Sequence, residues 1–380
     1  MLLRIFMILL ILPFSANAKK LEFDIGHLNK IDTIINEEIS KGNIPGAVIL
    51  VGKGNKTVFL KAYGNRRTYK KIEKMTIDTV FDIASITKPI ATASSIWKLV
   101  EMGKIRLWDR VSFYIPAFKE TEMDTPLRIY HLLTHTAGLP SYYDENLLIK
   151  KFKKPQLKNL INEIAILKRE KLPGESFVYS CLGYIVLGHI VERISGQNLS
   201  EFVEENIFSK LEMWSTTFVP KGSIIKRISP TEVINGNLPI GIVHDPLAQS
   251  IGGISGNAGL FSTAEDLAKF AGMLLNNGYY KDKKIFSQHT VKAFTTIYPQ
   301  LKKFGRSPGW DVNTDYSSSR GDLFPIGSFG HTGFTGTSIW VDPKSKVFVI
   351  LLSNRVHPKR KKSIIRLYSI ISNIVVSSIN

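Results

Sequence analysis

The chain has 380 residues, 44% of them hydrophobic and 22% charged, with 50 Lys and Arg against 32 Asp and Glu for a formal net charge of +18. That composition excludes a disordered or collagen-like chain, and the length suits one α/β body with a large insertion better than two large domains. The single cysteine, Cys181, excludes an intrachain disulfide and leaves no lipid-carrying cysteine behind a leader.

Arg4, the apolar run Ile5 to Phe14 and Ser15-Ala16-Asn17-Ala18 read as a secretory signal cleaved after Ala18. The run is too short for an ordinary membrane span. The expectation is an exported protein, periplasmic or secreted, with residues 19–380 as the mature chain. An uncleaved anchor is the alternative. Leu28, Ile31, Ile34, Ile35 and Ile39 follow at helical spacing. Ile44 to Val51 and Thr57 to Tyr63 flank Gly52-Lys-Gly-Asn-Lys and predict a β-hairpin.

Ser85-Ile-Thr-Lys88 then opens an apolar helix that runs through Val100 and stops at Gly103. Pro89 fits only in a first turn, where its missing N–H costs nothing. The three-residue spacing puts the Ser85 hydroxyl and the Lys88 amine on one face. An amine that has lost its proton can take the proton of a hydroxyl, which makes a nucleophile. Burial and the helix N-terminus are expected to push Lys88 toward its neutral form.

From about Trp108 to Lys171 the pattern is helices and loops, rich in Lys and Pro. His131 and His135 stand at i, i+4, a zinc spacing, but no third ligand or Glu base accompanies them. Packing or hydrogen bonding is the expectation, with no metal and no cofactor. Tyr179 lies between a Pro-Gly turn and an apolar helix ending at Gly196, where a phenol can be aimed into a cleft. A core tyrosine bonded to a carbonyl is the alternative. The glycine-rich stretch Gly252 to Gly259 leads into a helix, with Ser262 and Glu265 read as a capping box.

Near the end, Phe329-Gly-His331-Thr332-Gly333-Phe334 leads into two apolar strands around Asp342-Pro-Lys-Ser. Residues 363–379 read as a helix packed on the sheet, with a membrane tail as the alternative because a basic run precedes it. The basic patches at Lys150–Lys154 and Lys359–Lys362 come with no nucleic-acid motif. They read as solvated surface suited to anionic envelope polymers, and nucleic acid is not an expected partner.

In this order, the elements resemble the serine β-lactamase and penicillin-binding protein superfamily, in the branch of class C β-lactamases, D-aminopeptidases and related esterases. The matching segments are Ser-x-x-Lys at 85–88, a Tyr-x-Asn-like triplet at 179–181 and a Lys-Thr-Gly-like triplet at 331–333. His131-Leu-Leu-Thr-His135-Thr-Ala-Gly-Leu-Pro140 and Ala258-Gly-Leu-Phe-Ser-Thr263 are similar to segments of the same branch. The resemblance spans about Ile31 to Ile371.

It implies an α/β (α+β) fold: an antiparallel five-stranded sheet built from both chain ends and flanked by helices. A second, mostly helical domain, about 108–265, would be inserted into that body. It implies Ser85 as nucleophile, Lys88 as its proton acceptor and Tyr179 as the partner that moves protons to the leaving group. The oxyanion hole would be the backbone N–H groups of Ser85 and Phe334, and Cys181, His331, Thr332 and Gly333 would face substrate.

Two positions depart from the family pattern. Cys181 stands where Asn is usual, and a thiol is a poor donor and acceptor. His331 stands where Lys is usual, and an imidazole is mostly neutral near pH 7, gaining charge only on acidification. Both changes are expected to weaken recognition of β-lactams and of a free D-Ala carboxylate. The expected function is an exported serine hydrolase acting through an acyl-enzyme on cell-wall-derived peptides or small esters or amides. A non-turnover sensor or cell-wall peptide binder, and a β-lactamase or D-Ala-D-Ala carboxypeptidase, are the alternatives. Membrane association would run through an uncleaved leader or the C-terminal segment.

Overall fold

The computed structural model describes residues 23–119, 125–169 and 171–380. The expected leader, residues 1–18, lies outside them. The hairpin forms as the turn chemistry predicts, with Gly46–Lys53 paired antiparallel to Lys56–Arg67. Gly46–Lys53 is buried along almost its whole length because helices cover both sides of the sheet. Val48 and Leu50 join one core, while Ala47, Ile49 and Val51 join the other. A strand buried on both faces reads as a continuous apolar run, which is what Ala47 to Val51 shows.

The C-terminal strands complete the sheet. In space the order is Glu73–Lys74, Lys56–Arg67, Gly46–Lys53, Val347–Ser353, Thr337–Asp342 and Phe329–Gly333. The five expected strands are joined by a sixth, only two residues long. Lys56–Arg67 outruns its 8-residue partner, and the overhang at Asn65 and Arg67 pairs with Glu73 and Lys74. Glu73 is held there by Arg66 at 3.1 Å and Arg67 at 3.4 Å, and so short and charged an edge strand resists further pairing.

The amphipathic helix Lys30–Ser40 and the C-terminal helix Ile365–Ser377 cover one face through Ile31, Ile35, Leu367, Tyr368, Ile371 and Val375. Among the described residues no helix is long and apolar enough to cross a membrane. The other face packs on Ser94–Glu101, Ala264–Leu275 and the helices between Ile129 and Val203. A small antiparallel sheet orders Phe81–Asp82, Leu260–Ser262 and Thr217–Phe218. It ties the start of the Ser85 turn to the end of the glycine-rich loop. Because Ser262 ends that strand and its hydroxyl bonds Thr216 at 2.8 Å, the helix cap moves one residue on. Thr263 accepts from the Asp266 amide, correcting the Ser262–Glu265 reading.

Candidate active site

The Ser85 turn is braced before the helix begins. Ala84 sits at φ +46, a left-handed conformation that costs an alanine about 1–2 kcal/mol. The buried Asp82 carboxylate offsets this by accepting from the Ala84 amide at 2.8 Å and the His244 amide at 2.7 Å. Burial raises the Asp82 carboxyl above its usual range. After the single 3-10 turn Ala84–Ile86, the chain winds wide over Lys88–Ala93 with Pro89 in its first turn, then becomes α-helical.

Lys88 is fully buried. Its ammonium donates to Ser85 Oγ at 3.0 Å and to the Asn257 carbonyl at 2.9 Å, and lies 3.6 Å from Cys181 Sγ. Burial pushes the amine toward neutrality, but the facing Cys181 and Tyr179 push the other way, and the net is a rise above the usual lysine value. This corrects the neutral amine expected from burial alone. Lys88 is a cation at rest, so it donates to the Ser85 hydroxyl and has no lone pair for its proton.

Tyr179 precedes the helix Cys181–Ser195, whose N-cap is Ser180. His131 and His135, spaced i, i+4, hold the backbone around it. His135 Nδ1 accepts from the Ser180 amide at 3.0 Å, its carbonyl accepts from the Val178 amide at 2.9 Å, and its ring stacks on Tyr179 at 4.4 Å. His131 Nδ1 accepts from the Arg128 amide at 3.0 Å. Burial and the nearby Arg128 and Arg169 hold His131 down to about 3. Among the described residues no group of three or more His, Cys, Asp or Glu could hold a metal ion.

The edge strand Phe329–Gly333 lies against the Ser85 turn. Thr335 donates to the Asp82 carbonyl and Thr337 to the Ile83 carbonyl, at 2.6 and 3.2 Å. Gly333 is required by that approach: a Cβ there would stand 2.1 Å from Thr337 Oγ1 and 2.4 Å from the Ile83 carbonyl. Ser85, Tyr179, His331, Thr332 and Phe334 thereby line one cleft of about 200 Å³. Cys181 is not on its wall but touches Lys88 behind it. Ser85 and Phe334 share the wall, as an oxyanion hole made by their amides needs.

His331 is buried, and its Nδ1 faces the Thr332 carbonyl at 2.8 Å. Burial first, then the neighbouring Arg306 and Lys88, hold it well below the usual histidine range. The gain of charge near pH 6 expected from sequence is therefore corrected: His331 stays neutral.

Three further residues line the cleft that the motifs did not flag: Arg306, Asp311 and Tyr316. Arg306 is 1% exposed, and its Nη1 lies 4.0 Å from Asp311. Its Nε and Nη2 have no hydrogen-bond partner among the described residues. Arg306 pairs across a turn with Asp311, and Asp311 pairs with Gly330, beside His331. The available signal was an Arg between Gly305 and Ser307-Pro-Gly, shortly after Lys302 and Lys303, which is weak.

Residues 31–370 match the family model described as Beta-lactamase. The chain is 34% identical over 375 residues to a protein of Escherichia coli (strain K12) named "Putative D-alanyl-D-alanine carboxypeptidase", covering 90% of this chain and 86% of the relative. A Salmonella typhimurium protein of the same name is 35% identical over 376 residues, with the same coverage of each chain. Among solved structures, "EstCE1, a hydrolase with promiscuous acyltransferase activity" superposes with a TM-score of 0.73 at 21% identity, covering 92% of this chain and 99% of that one. "A class C beta-lactamase" gives 0.71 at 19%, covering 93% and 96%. At those identities the structures speak for the fold alone.

Proposed function

Because the chain belongs to the beta-lactamase family and is a serine hydrolase, we propose that Ser85 is its nucleophile and that it cleaves peptides ending in a free carboxylate, of the D-alanyl-D-alanine class. Arg306 carries the reading. A buried guanidinium with two nitrogens unpartnered, on the same cleft as Ser85, is costly unless an anion completes it. Guanidinium and carboxylate match in a fork of two hydrogen bonds. The sequence argument against carboxylate substrates rested on His331, and Arg306 supplies the cation that His331 lacks. The name carried by the relatives at 34–35% identity agrees with this substrate class.

In this reading, Ser85 attacks the carbonyl before the terminal residue. Its proton passes to Tyr179, reacting as the phenolate, rather than to Lys88, while the Lys88 ammonium compensates the charge that develops. Tyr179 returns the proton to the leaving amine. The amides of Ser85 and Phe334 receive the oxyanion, each such donor contributing about 3 kcal/mol. Water then releases the acyl group. Export, with cleavage after Ala18, belongs to the same reading, and mature protein beginning at Lys19 would support it.

Hydrolysis of small neutral esters is the second reading, favoured by the neutral His331 and by a thiol at Cys181. The test is release of D-alanine from a peptide ending in D-Ala-D-Ala, with intact-mass detection of an adduct on Ser85. Ser85→Ala should abolish both while leaving the fold unchanged. Ester hydrolysis with no D-alanine release would favour the second reading. An adduct that never turns over would make the protein a sensor.

A further inference from the structure

Phe334 contributes its amide to the reading above, but its ring has no role there. The ring lines the cleft and the residue is 42% exposed. The guanidinium carbons of Arg360 and Arg355 lie 4.6 and 5.0 Å from its centroid, and the His244 ring stacks on it at 5.5 Å. Arg355 is committed, donating to the Lys361 carbonyl at 2.7 Å. The Arg360 guanidinium makes no hydrogen bond or ion pair among the described residues. Its backbone amide bonds Glu232 at 3.4 Å, and the other Glu232 oxygen meets His244 at 3.2 Å. Lys359, Lys361 and Lys362 beside it are all exposed.

A planar cation therefore rests on an exposed ring at the cleft wall. Stacking on the aromatic face orders a guanidinium while leaving its N–H edge free, and a pre-ordered group loses less freedom on binding. Arg306 lines the cleft and meets Asp311, while Arg360 reaches the cleft through the ring of Phe334, so the two cations have different partners at the site. With Arg306 assigned to the terminal carboxylate, Arg360 is left for a second anionic group of the substrate.

We propose that Phe334 and Arg360 form a subsite for a carboxylate on the acyl portion of the substrate. The enzyme then selects acidic acyl donors and discriminates against neutral ones. This rests on Ser85 as the nucleophile.

The test uses matched donors: peptides ending in D-Ala-D-Ala capped with succinyl or with butyryl, and aryl esters of the same two acyl groups. Wild type, Arg360→Gln and Arg360→Lys are compared for kcat and KM. Binding of the two peptides to Ser85→Ala gives the same comparison without turnover. The succinyl donor should show a KM about fivefold lower in wild type, the scale of one exposed charge pair, with kcat little changed. Arg360→Gln should bring the ratio to about one, and Arg360→Lys should keep part of it. About 1 M salt, where the screening length is about 3 Å, should erase it in wild type. An equal ratio in wild type and Arg360→Gln overturns the subsite. Esters that show the ratio while peptides are neither bound nor cleaved overturn the carboxypeptidase reading and leave the subsite standing.

Discussion

Replacing Arg306 by methionine keeps an unbranched apolar stem and removes the cation that lines the cleft. If Arg306 grips the terminal carboxylate, the variant leaves that carboxylate half-desolvated with nothing opposite. Truncating one partner of a buried, hydrogen-bonded charge pair costs about 2–4 kcal/mol, or about 30- to 1000-fold in affinity for the transition state. The assay is kcat/KM for a D-Ala-D-Ala peptide divided by that for its C-terminal amide. The ratio cancels any general damage to Ser85, Lys88 or Tyr179. It should fall by at least about 30-fold. The fold should not suffer, because a buried cation with its nearest carboxylate at 4.0 Å gains little from the pairing. Asp311 keeps the Thr314 and Ser317 hydroxyls, each at 2.8 Å. A folded Arg306→Met variant with an unchanged ratio would refute the carboxylate assignment.

Gly333→Ala should abolish activity and lower Tm, since its Cβ would drive the edge strand away from the Ser85 turn; a fully active variant would show that the strand can shift freely. The carboxylate-to-amide ratio should stay flat from about pH 8 to 6, because burial, Arg306 and Lys88 keep His331 neutral. His331→Lys should raise it, and a wild-type rise on acidification would mean an imidazolium in the cleft. Stability should fall on acidification through His131, whose folded value is about 3. The unfolded state binds the proton first, below about pH 6.5, so stability is lost at up to about 1.4 kcal/mol per pH unit from there downward. Urea midpoints at pH 7 and 5 should differ less in His131→Asn, whose amide oxygen can still accept from the Arg128 N–H. An equal difference would show that His131 titrates normally.

Ser85 and Lys88 were legible because three residues of helical backbone set their spacing, whatever the rest of the chain does. The hairpin at Gly46 to Arg67 was legible for the same reason, its turn and its apolar runs being local. The helix cap was misread by one residue because Ser262 is claimed by a strand whose partners, Phe81 and Thr217, lie far away in sequence. The order of the motifs carried the family and its sheet of both chain ends. The charge state of the site was not legible. His331 is held neutral by burial first and then by Arg306 and Lys88, and Lys88 is raised by Cys181 and Tyr179; only folding supplies that burial and brings those neighbours within a few ångströms. Arg306 stayed hidden for that reason too. Nothing in Gly305-Arg306-Ser307-Pro308 marks a binding residue until the turn to Asp311 and the pairing of Asp311 with Gly330 bury it beside the nucleophile. The local sequence determined which groups could do chemistry, and the tertiary packing, by burying some charges and pairing others, decided which state each one holds.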